Sequence, residues 1–117
     1  MSAASLPTTL APAEVRAEIR QRLLAADDRV VAIVLHGSHA KGTARPHSDW
    51  DVAVVLRDPV DDWVAESQRL SALFYECPFA VDIQAFGATE FHDDAAVPGT
   101  LAFTIARRGE PLHDVAA

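Results

Sequence analysis

Two short aliphatic runs, Val30 to Leu35 and Trp50 to Leu56, are joined by a segment that admits few folds. It opens with Gly37-Ser38, continues for ten residues, and closes with aspartates at 49 and 51. A short continuous apolar run is what a buried strand looks like. Gly37 breaks the first run, Ser38 to Lys41 suits a brief helical turn, and Thr43 to Ser48, containing Pro46, reads as a loop. The chain must therefore turn at Gly37 and begin a second strand with two carboxylates at its head. Side chains alternate along a strand, so Asp49 and Asp51 share one face, about 6.6 Å apart along the chain.

Paired carboxylates at this spacing suit metal-assisted chemistry. They can bridge two divalent ions, which in two-metal sites lie about 3.5–4 Å apart. Mg²⁺ takes one or two carboxylates and completes its shell with substrate phosphates. Gly37 lets backbone approach a ligand closely, and its N–H groups with the Ser38 hydroxyl can form an anion nest. An aspartate at a strand start is also an ordinary turn former. That reading fits poorly with two aspartates flanking Trp50 and followed by VAVVL. A third apolar run, Phe79 to Phe86, carries Asp82, which alternates with Val81, Ile83 and Ala85. Asp82 is open to two readings, an edge-strand charge that prevents aggregation or a third ligand; jointly the three aspartates favour a metal site. Gly37 and Gly42 also satisfy the glycine spacing of a P-loop, but Thr43 stands where the lysine belongs and Ala44 where the Ser or Thr belongs, which excludes it.

The rest of the chain supplies helices. Pro12 and Glu14 suit a helix start, and Val15, Ile19 and Leu23 recur at helical spacing to about Ala26, where Asp27-Asp28 ends the run. Asp61-Asp62 can cap a helix whose Trp63, Leu70, Leu73 and Phe74 share a face, stopped by Pro78. A short helical piece near Thr89–Asp94 follows, then a last helix from Thr100 to Arg108 ending at Gly109, a plausible C′ glycine. The order α-β-(turn)-β-α-β-α-α makes an α/β (α+β) domain with a small sheet of three or four strands flanked by helices. Residues 1–11 read as a loose tail and 12–117 as the domain.

At 117 residues and 50% hydrophobic composition, one domain with a real core is expected. A formal net charge of −7 argues against direct nucleic-acid binding, which needs clustered Lys and Arg. The single cysteine, Cys77, excludes an internal disulfide and reads as a packed residue. The N-terminus lacks the basic and apolar regions of a signal peptide, and no stretch approaches the roughly 20 apolar residues of a membrane span. A cytoplasmic protein without a membrane partner is expected.

The pattern G-S-x10-D-x-D between two apolar strands, with a later aspartate on a third, resembles the minimal nucleotidyltransferases (MNT domains) of the DNA polymerase beta superfamily. Gly37, Ser38, Asp49, Asp51 and Asp82 carry the likeness. Ala40-Lys41-Gly42 is similar to the family's small-basic-glycine step, and IARRGEPLHD to its usual ending. The resemblance spans roughly residues 12–114 and implies a polymerase-beta-like fold with a small mixed sheet. It further implies transfer of a nucleoside monophosphate, AMP from ATP, with two Mg²⁺ ions held by Asp49 and Asp51. Gly37, Ser38, Lys41 and Gly42 would bind the nucleotide's phosphates. Asp82 would bind the catalytic metal and help deprotonate an acceptor hydroxyl.

Other residues read as bland. Lys41 and Arg45 can add charge near the phosphates or be solvated, and Arg107-Arg108 read as partners of a helix dipole. His36, His39, His47, His92 and His113 show no zinc spacing, although His39 and His47 flank the site. His92-Asp93 lacks the companions a metal phosphohydrolase needs, and Ser38 has no nucleophile-elbow context. Trp50, Trp63, Phe74, Phe79 and Phe86 read as core. No acceptor-binding domain follows the core in this sequence. The acceptor is therefore expected on a partner, in this family often a HEPN-type toxin that the MNT protein neutralises by adenylylating a tyrosine. Two rivals remain: a binding module that neutralises its partner by contact with little or no catalysis, and a transferase acting on a small molecule such as an aminoglycoside, its pocket completed by a homo-oligomer.

Overall fold

A computed structural model describes residues 10–115. Residues 1–9, most of the expected tail, and 116–117 lie outside the described residues. Helix α1 (Pro12–Ala26) starts at a proline in its first turn, and the Glu14 carboxylate accepts the Ala11 N–H at 2.8 Å. Its Val15, Ile19 and Leu23 are buried, and Leu10 packs against the same core. Strand β1 (Val30–His36) leads into α2 (Gly37–Lys41), and β2 (Trp50–Leu56) follows the loop. Helix α3 (Trp63–Ser71) is capped by Asp62, whose side chain accepts the Ala65 N–H at 3.0 Å, and a 3₁₀ turn, Ala72–Phe74, prolongs it. Then come β3 (Val81–Gly87), α4 (Ala88–Ala95), α5 (Leu101–Arg108) and β4 (Glu110–Asp114).

The four strands form one mixed sheet in the order β3-β2-β1-β4. Strand β1 runs antiparallel to both β2 and β4, whereas β2 and β3 are parallel and joined through α3. One face carries Ile33, Leu35, Val52, Val54, Ile83 and Ala85, packed against residues of α1 and α3 in the main core. Helices α4 and α5 contact the opposite face; there Phe86 meets Phe91 of α4 edge-on, with ring centroids 5.2 Å apart. Covered on both sides, β2 is buried from Val52 to Leu56. This explains its unbroken apolar run.

The last residues form β4, the fourth strand of a sheet expected to hold three or four, and Pro111 is tolerated because β4 is an edge strand. Three expectations need correction. The third strand begins at Val81, two residues later than expected. Trp63 is 56% exposed, because it sits at the first turn of α3, beyond the reach of the core that receives Leu70 and Phe74. Gly109 is extended, with φ −75°, so it is no left-handed cap. It is glycine because a Cβ there would strike Val34 and lie 2.6 Å from the Ile105 carbonyl oxygen.

Candidate active site

The sheet brings one end of β1, β2 and β3 into a single row. His36 pairs with Asp51, and Asp51 pairs with Asp82 on the parallel neighbour. Adjacent strands lie about 4.8 Å apart, so the two carboxylates are side by side. Asp49 lies two residues before Asp51 and adds its charge to the group. Asp51 is half-buried; Asp49 and Asp82 are exposed. Burial pushes the Asp51 carboxyl above the ordinary carboxylate range, opposed by the neighbouring His36 and reinforced by the negative charges of Asp82 and Asp49.

Gly37 adopts φ +73°, a conformation that side chains rarely take. A Cβ on it would also collide with the Asp51 carboxylate. The turn is thus seated directly on the carboxylate row. Gly42, at φ +76°, ends α2 as a left-handed cap whose N–H donates to the Ser38 carbonyl, and nothing lies within 4 Å of its missing Cβ. Lys41 is exposed at the end of α2. The seven residues singled out from the sequence therefore gather at one end of the sheet, with Gly37 against Asp51 and Asp51 beside Asp82, while Gly42 lies in open space.

The structure adds members that the sequence did not mark. Gln84, two residues after Asp82 on the same face, donates from Nε2 to Asp82 Oδ2 at 3.0 Å, and its Oε1 meets His36 Nε2 at 2.7 Å. His36 and Gln84 are separated by a whole strand, so only knowledge of the sheet order could have paired them. Arg108 at the end of α5 shares a small cavity with His36, Gly37 and Lys41, whereas Arg107 lies over the Phe103 ring at 4.5 Å. His39 stacks on Trp50 at 3.6 Å and hydrogen-bonds the Ser48 carbonyl at 3.0 Å, with Arg16 5.3 Å from the same indole. On the α3 side, a cleft of about 520 Å³ is lined by Asp49, Asp82, Ser71 and the exposed Trp63 and Tyr75.

An oxygen-only donor set with crowded negative charge suits a hard divalent cation. Among the described residues, no three acidic, histidine or cysteine side chains converge closely enough to hold a metal ion on their own. Mg²⁺ needs no such cage, since it binds through one or two carboxylates and substrate phosphates.

Residues 18–114 match the family model described as "Polymerase beta, Nucleotidyltransferase". The chain belongs to this family. No curated protein sequence matches it. Among solved structures, a chain of a toxin–antitoxin complex with AMP-PNP superposes with a TM-score of 0.62 at 22% identity, covering 86% of this chain and 73% of that one. A chain of the MntA–HepT toxin–antitoxin complex gives 0.55 at 18% identity, covering 86% and 71%. A chain from the tri-AMPylated Shewanella oneidensis HEPN toxin in complex with its MNT antitoxin gives 0.53 at 15%, covering 91% and 75%. The structural neighbours are thus MNT antitoxins of HEPN/MNT pairs, and at these identities the likeness is one of fold. No helix among the described residues is long and apolar enough to cross a membrane.

Proposed function

We propose that this chain is an Mg²⁺-dependent nucleotidyltransferase that moves AMP from ATP to a hydroxyl on a HEPN-type partner, and so acts as an antitoxin in the cytoplasm. The observation that carries the reading is the pairing of Asp51 with Asp82 across parallel strands, directly beneath the left-handed Gly37 turn. The neighbours' AMP-PNP and AMPylated toxin support the choice of nucleotide and acceptor.

In this reading Asp49, Asp51 and Asp82 would hold two Mg²⁺ ions, which would supply neutralisation of phosphate charge and of the charge developing at the reacting oxygens. Gly37 and Ser38 grip the β- and γ-phosphates, with Lys41 and Gly42 completing the loop around them. Asp82, oriented by Gln84, accepts the proton of the acceptor hydroxyl. That oxygen bonds to the α-phosphorus as the bridge to the β-phosphate breaks, and pyrophosphate leaves. The α3-side cleft beside Asp49 and Asp82 gives the acceptor its approach. The chain's contribution is positioning and charge complementarity, as in phosphoryl transfer generally.

Incubation with ATP, Mg²⁺ and the protein of the neighbouring gene should give a partner heavier by one AMP per modified hydroxyl, seen by intact-mass spectrometry. The Asp49→Asn/Asp51→Asn double variant should give none. A folded wild-type chain that binds the partner without forming any adduct would overturn catalysis. Neutralisation surviving the double variant would instead support inhibition by contact.

A further inference from the structure

The cavity at the foot of α5, about 150 Å³, is lined by His36, Gly37, Ala40, Lys41, Thr104 and Arg108. Two helices far apart in sequence, α2 and α5, each end there in a cation. Among the described residues, the Lys41 and Arg108 side chains make no hydrogen bond or ion pair. Arg20, Arg45, Arg57 and Arg107 also lack a carboxylate partner among the described residues, but Lys41 and Arg108 are brought to one cavity. Arg16 engages Glu110, Arg22 engages Glu18, and Arg29 and Arg69 share Asp27 and Glu66. Two unneutralised cations facing one cavity repel each other, an arrangement that an anion relieves. The cavity has room for a phosphate group but not for a nucleoside as well. It also adjoins Gly37, where an added Cβ would meet the Asp51 carboxylate.

We infer that Arg108 and Thr104 of α5, together with Lys41, form a seat for the terminal phosphate of the nucleotide's polyphosphate tail. This deepens the proposed function and rests on it. Arg108 can donate to two phosphate oxygens at once, Lys41 acts as a point charge, and the Thr104 hydroxyl offers a neutral donor. The last helix thereby takes part in choosing a triphosphate over a monophosphate. It fixes the direction of the substrate: the tail lies on the α5 side, and the α-phosphate lies toward Asp51 and Asp82.

Titration calorimetry and ³¹P NMR of the full chain with Mg²⁺ test this, using tripolyphosphate, ATP, AMP and inorganic phosphate as probes. Arg108→Gln should weaken tripolyphosphate and ATP binding about tenfold or more while leaving AMP binding unchanged. Lys41→Gln should act in the same direction, and Arg108→Lys should recover part of the loss. Unchanged tripolyphosphate affinity in both Gln variants would overturn the seat, as would equal weakening of AMP. Inorganic phosphate binding as tightly as tripolyphosphate would mark a free-phosphate site and overturn the tail assignment. Arg108-dependent tripolyphosphate binding without nucleotidyl transfer would uphold the seat and overturn the proposed reaction. Transfer with affinities insensitive to Arg108 would do the reverse.

Discussion

Three glycines in this chain are required for three different physical reasons, and substitution should separate them. Gly37 combines a left-handed φ with the Asp51 carboxylate occupying the space of its Cβ. Gly37→Ala should therefore lose about 2–3 kcal/mol of stability in urea unfolding, from strain and collision together. It should also lower nucleotidyl transfer by about a hundredfold, because shifting a phosphate-binding turn by an ångström misaligns the reacting groups. Gly42 has the same sign of φ but open space around it, so Gly42→Ala should cost only about 1 kcal/mol. Gly109 has an ordinary φ, yet its Cβ would meet Val34 and the backbone of α5, so Gly109→Ala should cost about 2–3 kcal/mol despite unstrained torsions. Equal losses for Gly42→Ala and Gly109→Ala would contradict the packing argument. Asp49 and Asp51 were legible as a pair because strand alternation is local. The neighbour of Asp82 was not, since it depends on β3 lying parallel beside β2. The same reason hid Gln84, whose partners His36 and Asp82 lie on two different strands.

At the level of elements, β3 is an edge strand, and α3 protects it through two serines. Ser71 Oγ accepts the Ile83 N–H at 3.1 Å, and Ser67 Oγ accepts the Ala85 N–H at 2.9 Å while donating to the Trp63 carbonyl at 2.7 Å. Two N–H groups of β3 are thus satisfied by its own crossover helix rather than left to pair with another strand. Ser67→Ala and Ser71→Ala should each cost about 1–2 kcal/mol, since a part-buried N–H loses its partner. The double variant should also aggregate more readily, which light scattering below the unfolding midpoint would reveal; an unchanged midpoint in both single variants would sink the argument. Helix α1 was readable from its hydrophobic period, and strands β1 and β2 from their continuous apolar runs, β2 being covered on both faces. Strand β4 was not. EPLHD contains a proline and only one aliphatic residue, and its strand identity comes from pairing with β1, a partner more than seventy residues earlier in the chain. Trp63 misled for the opposite reason: helical spacing puts it in line with Leu70 and Phe74, but the core ends before the first turn of α3.

For the molecule as a whole, one buried carboxylate ties the layers that hold the site. Asp27, at the end of α1, accepts hydrogen bonds from Arg29 at 2.9 Å and from Arg69 of α3 at 2.6 Å, and Glu66 closes the group at 3.1 and 2.7 Å to the same arginines. The ends of α1 and α3 are thereby fixed to the start of β1, and α3 in turn fixes β3 with its Asp82. The Arg29 hydrogen bonds hold the Asp27 carboxyl far below the usual carboxylate range, with Arg69 adding to the effect, and the same two arginines lower Glu66. In the unfolded chain these groups take up protons near their ordinary values of 3.8 and 4.5, whereas the folded protein resists until lower pH. Their contribution to stability is therefore complete above about pH 5 and declines as pH falls through 4 and below. Urea midpoints measured from pH 7 to pH 3 should fall along this limb. Asp27→Asn should lower stability at pH 7 by about 2 kcal/mol, because the arginines lose a charged acceptor. It should also flatten the acid limb, since one of the protons taken up on unfolding is gone. An Asp27→Asn chain with the same acid dependence as wild type would mean that other carboxylates control the acid response, and that α1 and α3 are held by apolar packing alone.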